Sequence, residues 1–125
     1  MNQFIPKNVA VWFEIPVTDL ERAKAFYSAV TDIPLKEQAP GPKPIAVFET
    51  SDPEGGIAGH LYPGTPAPEG GQTVHLAVKS PLEEALQRVK EHGGQVLSDI
   101  ISIPAGRFAY CEDPDGNSVG FFDAN

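Results

Sequence analysis

The feature that most constrains this chain is that its second half repeats the order of its first. Thr18-Asp19-Leu20-Glu21 and Ser80-Pro81-Leu82-Glu83 each set a hydroxyl residue three positions ahead of a glutamate, and the two caps lie 62 positions apart. This is the pattern of a capping box, in which both side chains satisfy amide groups left free at a helix start. Asp52-Pro53-Glu54-Gly55 and Asp113-Pro114-Asp115-Gly116 are acidic proline–glycine turns 61 positions apart, and Gly59 and Gly120 share that spacing. A unit of this length cannot bury a sheet of its own, so two units must pack on each other or on another chain.

Hydrophobic periodicity fills in the elements between these marks. Val9 to Val17 alternate with a period of two, with Val9, Val11, Phe13 and Ile15 on one face and Trp12 and Glu14 on the other, which predicts a strand. Leu20, Ala23, Phe26, Tyr27 and Val30 recur at helical spacing and predict a helix over 19–30, ended near Pro34. The proline-rich stretch 38–44 reads as a loop, and 45–50 and 57–62 read as strands. Residues 63–72 hold three prolines and three glycines and form a linker. Beyond it the order returns: a strand at 73–79, a helix opened by Ser80 and Pro81 and stopped by Gly93-Gly94, then strands at 95–103, 108–112 and 119–123. The expected fold is α+β: a single domain over 1–125 built of two tandem βαβββ modules, one at 9–62 and one at 73–123, that form a cupped mixed sheet.

Charge and composition narrow the partners. Seventeen acidic residues against nine basic ones give a net charge of -8, which argues against nucleic acid and against an anionic membrane surface. Met1 to Val9 carry no cationic leader, and no run approaches the roughly 20 apolar residues that a membrane-spanning helix requires. The expected location is cytoplasmic. The single cysteine, Cys111, excludes an internal disulfide framework and a cysteine-rich zinc site, and without a basic neighbour in sequence it reads as a buried inert thiol.

Trp12-Phe13-Glu14-Ile15-Pro16-Val17-Thr18-Asp19-Leu20-Glu21-Arg22-Ala23-Lys24-Ala25-Phe26-Tyr27 and Glu112-Asp113-Pro114-Asp115-Gly116-Asn117, with the His75 strand, its helix and Gly93-Gly94 in order between them, resemble the vicinal oxygen chelate superfamily. Its members include glyoxalases, bleomycin-resistance proteins, fosfomycin-resistance enzymes and extradiol dioxygenases. The resemblance implies paired βαβββ modules around a cupped sheet, commonly in a homodimer, and in the enzymes a divalent metal held from the first and last strands of each module. Carried onto this chain, the ligand positions fall at Trp12, Gly59, His75 and Gly120, of which only His75 can coordinate. No cofactor is therefore expected at the family's usual site, because catalytic metals take three or more protein donors.

The remaining candidates follow from residue chemistry. Glu14 lies two residues beyond Trp12 on the same strand face and is expected to share the concavity with His75, where the two offer proton transfer or a non-standard metal site. His60 is expected on the opposite face. Trp12, Phe48, Tyr62, Phe108, Tyr110 and Phe122 suit the wall of a small-molecule site as well as a core. Arg107 offers a cation to a ligand anion or to a surface acid. His92 belongs to the end of the second helix, and 113–117 is a hairpin turn rather than a calcium loop. Three readings stay open: a small-molecule binding protein, an enzyme of the same superfamily working through Glu14 and His75, and a non-catalytic structural or regulatory dimer.

Overall fold

The computed structural model describes residues 3–69, 71–79 and 81–124. Two sheets carry the repeat. The first has strand order β1-β4-β3-β2, from β1 (Phe13–Val17), β2 (Leu35–Gln38), β3 (Ile45–Phe48) and β4 (Gly59–Pro63). In the second, β5 (Val74–Ala77), β9 (Ser118–Ala124), β8 (Gly106–Glu112) and β6 (Gln95–Val96) follow in that order, with the short β7 (Ile101–Ile103) also paired to β8. In each sheet the first strand runs parallel to the last, β1 beside β4 and β5 beside β9, while the other pairings are antiparallel. This is the α+β architecture with a helix after the first strand of each half: α1 (Leu20–Thr31) and α2 (Leu82–Glu91).

Both helices pack on the same kind of face. Ile15, Val17, Ala46, Phe48 and Leu61 of the first sheet and Leu76, Ala109, Cys111, Val119 and Phe121 of the second join Ala23, Phe26, Tyr27, Val30, Leu82, Ala85 and Val89 of the helices in one buried cluster. Phe26 of α1 reaches Phe121 of the second sheet at a centroid distance of 6.4 Å, so the two halves share a core. Alternate strand residues consequently point away from the helices. This second set forms the open face of each sheet.

Several boundaries differ from those the sequence suggests. Val9 to Trp12 lie outside β1, because β4 begins at Gly59 opposite Phe13 and supplies no partner further back. Val9 and Val11 are left 91% and 70% exposed. The N-cap of α1 is Asp19, whose carboxylate accepts from the Arg22 amide at 3.1 Å. Thr18 instead turns to Asp115 of the other module, with its amide at 3.2 Å and its hydroxyl also bonded there. The α2 cap expected at Ser80 lies outside the described residues. At this helix Pro81 makes no side-chain cap, and Asp123 of β9 accepts from the Leu82 amide at 3.0 Å. Gly93 ends α2 as expected, at φ +92°, with the Gly94 amide returning to Val89 O at 2.9 Å. The expected strand 95–103 is broken into β6 and β7, and β2 adds a strand where only one residue of Leu35-Lys36-Glu37-Gln38 is apolar.

Side chains fasten the halves across the fold. Asp113, 3% exposed, accepts from the Tyr27 hydroxyl at 2.7 Å, from the Asp115 and Asn117 amides at 2.9 Å, and from Asn117 Nδ2 at 2.9 Å. Asn117 Nδ2 also donates to Pro16 O at 2.7 Å, and Arg88 donates to Ala29 O at 2.7 Å. Burial first, and then the Asp113 carboxylate, push the Tyr27 phenol well above its ordinary range.

Candidate functional site

Register decides which side chains meet. In the first module Glu14 of β1 lies opposite His60 of β4, and Ile15, the next residue, faces Leu61. In the second module His75 of β5 lies opposite Gly120 of β9, with Leu76 facing Phe121. Ile15, Leu61, Leu76 and Phe121 are all buried on the helix side. Glu14, His60, His75 and Gly120 therefore occupy matching places on the two open faces. The positions carried over from the resemblance hold in the second module but shift in the first, from Trp12 to Glu14 and from Gly59 to His60. From Gly59 to His60 the shift arises because the repeat spacing there is 60, not 61, while Glu14 and not Trp12 is the residue 61 positions before His75. A one-residue slip moves a strand residue to the other face, so Gly59 sits under the Phe13 ring on the core side.

His60 accordingly stands on the same face as Glu14 and Trp12, against the expectation that it points the other way. Trp12 Nε1 donates to His60 Nδ1 at 2.9 Å, and His60 Nε2 lies 3.2 Å from Glu14 Oε1. An indole N–H can only donate, so Nδ1 is the acceptor, which places the proton of the neutral ring on Nε2, on the Glu14 side of the ring. Of this trio, the His60 side chain is 15% exposed and that of Glu14 63%. Tyr62 stands two residues along β4, 6.2 Å from the His60 ring in an edge-on arrangement.

Fitness for a metal can be judged from this donor set. His60 commits its one lone pair to Trp12, and its Nε2 lies 3.2 Å from Glu14. Gly120 offers no donor, and the His75 ring lies directly over its Cα. Among the described residues no three His, Cys, Asp or Glu side chains converge. The set as arranged does not fit a chelated divalent ion, which takes at least three protein donors around an open position.

The other candidates divide between places. Trp12, Phe48 and His75 line one cavity of about 410 Å³ that lies between the start of β1 and the edge strand β5. Phe13, Ile33, Ile57, Ala58, Val74 and Leu76 supply most of its remaining wall, with Glu49 the charged exception. Phe48 comes from the core side, where it packs on Phe13 at 5.5 Å and Tyr27 at 5.7 Å. Trp12 also borders a second cavity, of about 370 Å³, whose wall includes Lys36, Val47 and Thr50. Glu14 opens on a smaller, polar one of about 160 Å³ beside Gln72, Asn117 and Ser118.

On the second sheet, His75, Phe108, Tyr110 and Phe122 form a continuous aromatic patch. Phe108 and Tyr110 meet the His75 ring edge-on at 5.3 and 5.6 Å, and Phe108 stacks on Phe122 at 6.5 Å. Arg107 is engaged elsewhere, pairing with both oxygens of Glu83 at 2.8 and 2.9 Å and with Asp123 at 3.5 Å. The hydrogen bond from Arg107 lowers the Glu83 carboxyl to about 2 and raises the guanidinium further above its ordinary value. Burial pushes the Cys111 thiol up to about 11. His92 caps the end of α2, its ring Nδ1 3.0 Å from Arg88 O.

Sequence reasoning missed His60 and the double role of Trp12. The signal for the first was present: a histidine and a glutamate on strands of one module, each with core residues on either side. Fixing the repeat at one spacing hid it.

Comparison with known proteins matches residues 10–121 to the sequence profile of the Glyoxalase/Bleomycin resistance protein/Dioxygenase superfamily. Protein CFP32 of Mycobacterium tuberculosis is 29% identical over 117 residues; the match takes in 91% of this chain, and the chain spans about half, 45%, of that relative's length. A glyoxalase/bleomycin resistance protein from Albidiferax ferrireducens superposes with a TM-score of 0.71 at 22% identity, covering 94% of this chain and 100% of its own. TnmS3, an antibiotic binding protein from a Streptomyces species, does so with a TM-score of 0.64 at 27% identity, covering 97% of this chain and 100% of its own. No helix of the described residues is long and apolar enough to cross a membrane.

Proposed function

Since the chain belongs to the Glyoxalase/Bleomycin resistance protein/Dioxygenase superfamily, whose scaffold it displays, we propose that it binds a small, planar, largely apolar molecule in the cavity between β1 and β5. The observation that carries this reading is the lining of that cavity. Its volume of about 410 Å³ is of the size that encloses small organic ligands, and Trp12, Phe13 and Phe48 give it rings for stacking. His75, Glu49 and Thr73 are its polar groups, few enough to orient a ligand without making the site hydrophilic. The antibiotic-binding description of TnmS3 supports a small-molecule ligand.

The test uses the only tryptophan. Trp12 emission transfers to N-phenyl-1-naphthylamine, a neutral planar probe, so titration of the full chain reads occupancy of the cavity directly. Saturable transfer is expected, and Ile57→Glu, which sets a charge at a 41% exposed wall position, should abolish it. Transfer that never saturates, or that survives Ile57→Glu unchanged, refutes the proposal.

Proton transfer is a second reading, favoured by one observation: the Glu14 side chain is 63% exposed, with His60 Nε2 3.2 Å from its carboxylate. Here Glu14 exchanges the proton beside His60, in contrast to the Glu14 and His75 pairing expected from the sequence. A homodimer belongs to the binding proposal, because Phe4, Ile5, Val9 and Val11 leave large apolar side chains 70 to 91% exposed. A monomeric mass by light scattering at micromolar concentration would remove that part.

A further inference from the structure

Trp12 borders two cavities at once, of about 410 and 370 Å³, and one hydrogen bond fixes its indole between them. The residue precedes β1, so no ladder partner restrains its backbone, and its side chain remains 48% exposed. The indole N–H to His60 Nδ1, at 2.9 Å, is accompanied by a tilted ring contact at 5.8 Å. His60 is far better anchored: it lies inside β4, paired to β1 on one side and to Val47 of β3 on the other. Accepting from the indole takes the Nδ1 lone pair, which leaves the ring proton on Nε2, on the side of Glu14.

We infer that His60 is a specificity-positioning residue: by holding the Trp12 indole as a partition between the two cavities, it limits the ligand to the first. The inference rests on the proposed binding in that cavity. His60 itself touches neither the first cavity nor the second, and acts through Trp12 alone. With the partition held, the probe meets a closed wall against which it stacks. Phe48, Glu49 and Ala58 border both spaces too, so releasing the indole opens the part of the boundary that it covers, removes its stacking surface, and lets longer molecules enter.

A merely structural role for His60 would not distinguish its two ring nitrogens, and substitution can. Asparagine places an acceptor near the position of Nδ1, whereas glutamine reaches toward Glu14 and offers Trp12 nothing. The measurement is Trp12 emission and acrylamide quenching in the full chain, with N-phenyl-1-naphthylamine affinity read on the same samples and urea midpoints as the folding control. His60→Ala should shift emission to the red, raise the quenching constant, and weaken the probe by about three- to tenfold, the equivalent of one neutral hydrogen bond. His60→Asn should restore both readouts, and His60→Gln should not. A bulkier planar dye, Nile red, should gain relative to the smaller probe in His60→Ala. Emission indifferent to the His60 series, or equal rescue by asparagine and glutamine, overturns the inference while leaving a wild-type probe titration intact. A wild type that binds no probe, with emission that still follows the series, overturns the binding proposal and, with it, the specificity role, leaving only the contact.

Discussion

Tyr27→Phe removes one oxygen from the junction between the two modules, and its consequence can be worked out from the atoms around it. The hydroxyl donates to Asp113 Oδ2 at 2.7 Å, across 86 residues of sequence, and both groups are buried. The ring contacts with Phe26 at 5.0 Å and Phe48 at 5.7 Å do not involve the oxygen and survive the change. Asp113 keeps its bonds from Asn117 and from two amides, so the loss is one hydrogen bond to a carboxylate rather than an abandoned charge. Such a bond contributes about 2 kcal/mol, which over a urea slope of about 2 kcal/mol per molar lowers the midpoint by about 1 M. Equilibrium unfolding followed by circular dichroism measures this. The same variant carries a second, independent signature at high pH. The folded-state phenol ionises well above the ordinary 10.0 at which the unfolded chain releases its proton, so its contribution is fully present below pH 10 and is lost as pH rises beyond it. Wild-type stability should therefore fall above pH 10, and the variant's should fall less steeply. A midpoint shift below about 0.2 M, or identical alkaline profiles, would refute the role given to this bond.

Two further outcomes follow from other bonds. The Glu83 carboxyl is lowered from 4.5 to about 2 by its hydrogen bond from Arg107, so its contribution is present above pH 4.5 and is lost as pH falls toward 2. Acid unfolding curves of Glu83→Gln should be flatter than wild type across that window and, because the pair is solvent-exposed, should move closer to it in high salt. Cys111 is fully buried with its thiol pushed up to about 11, so a disulfide-exchange reagent at pH 8 should label it only at the rate of global opening, with full labelling in urea. Rapid stoichiometric labelling of the folded chain would contradict its placement.

How much of this was legible in the residues depends on whether the cause was local. The helices and the Asp113 turn announce themselves through apolar spacing, proline and glycine, all readable within a few positions, though not through the expected caps. The alternation in β1 also sorts correctly, with Phe13 and Ile15 toward the core and Glu14 away from it. The phase between modules is another matter. Loops of slightly different length make the repeat 62 residues at the caps, 61 from Glu14 to His75 and 60 from His60 to Gly120, and one residue of slip exchanges core for surface. β2 escapes notice because Lys36, Glu37 and Gln38 have no strand signature and are ordered by pairing with β3. Arg107 meeting Glu83 and Asp123, and Thr18 turning to Asp115 in place of capping its own helix, are choices made by distant partners.

The boundary between β1 and β5 has a mechanical consequence. Each is the outermost strand of its sheet, and among the described residues no backbone ladder joins them. One end of this boundary is pinned, by Asn117 to Pro16 and by Asp115 to Thr18 and Arg22. Away from this pin, Ala10, Trp12 and Phe13 and the β5 residues share the largely apolar wall of the larger cavity. The arrangement is that of a clasp with a fixed pivot: parting its free edge would break no ladder of either sheet, and is opposed by the packing of α1 on α2 and by the Arg88 bonds to Ala29 and Val30.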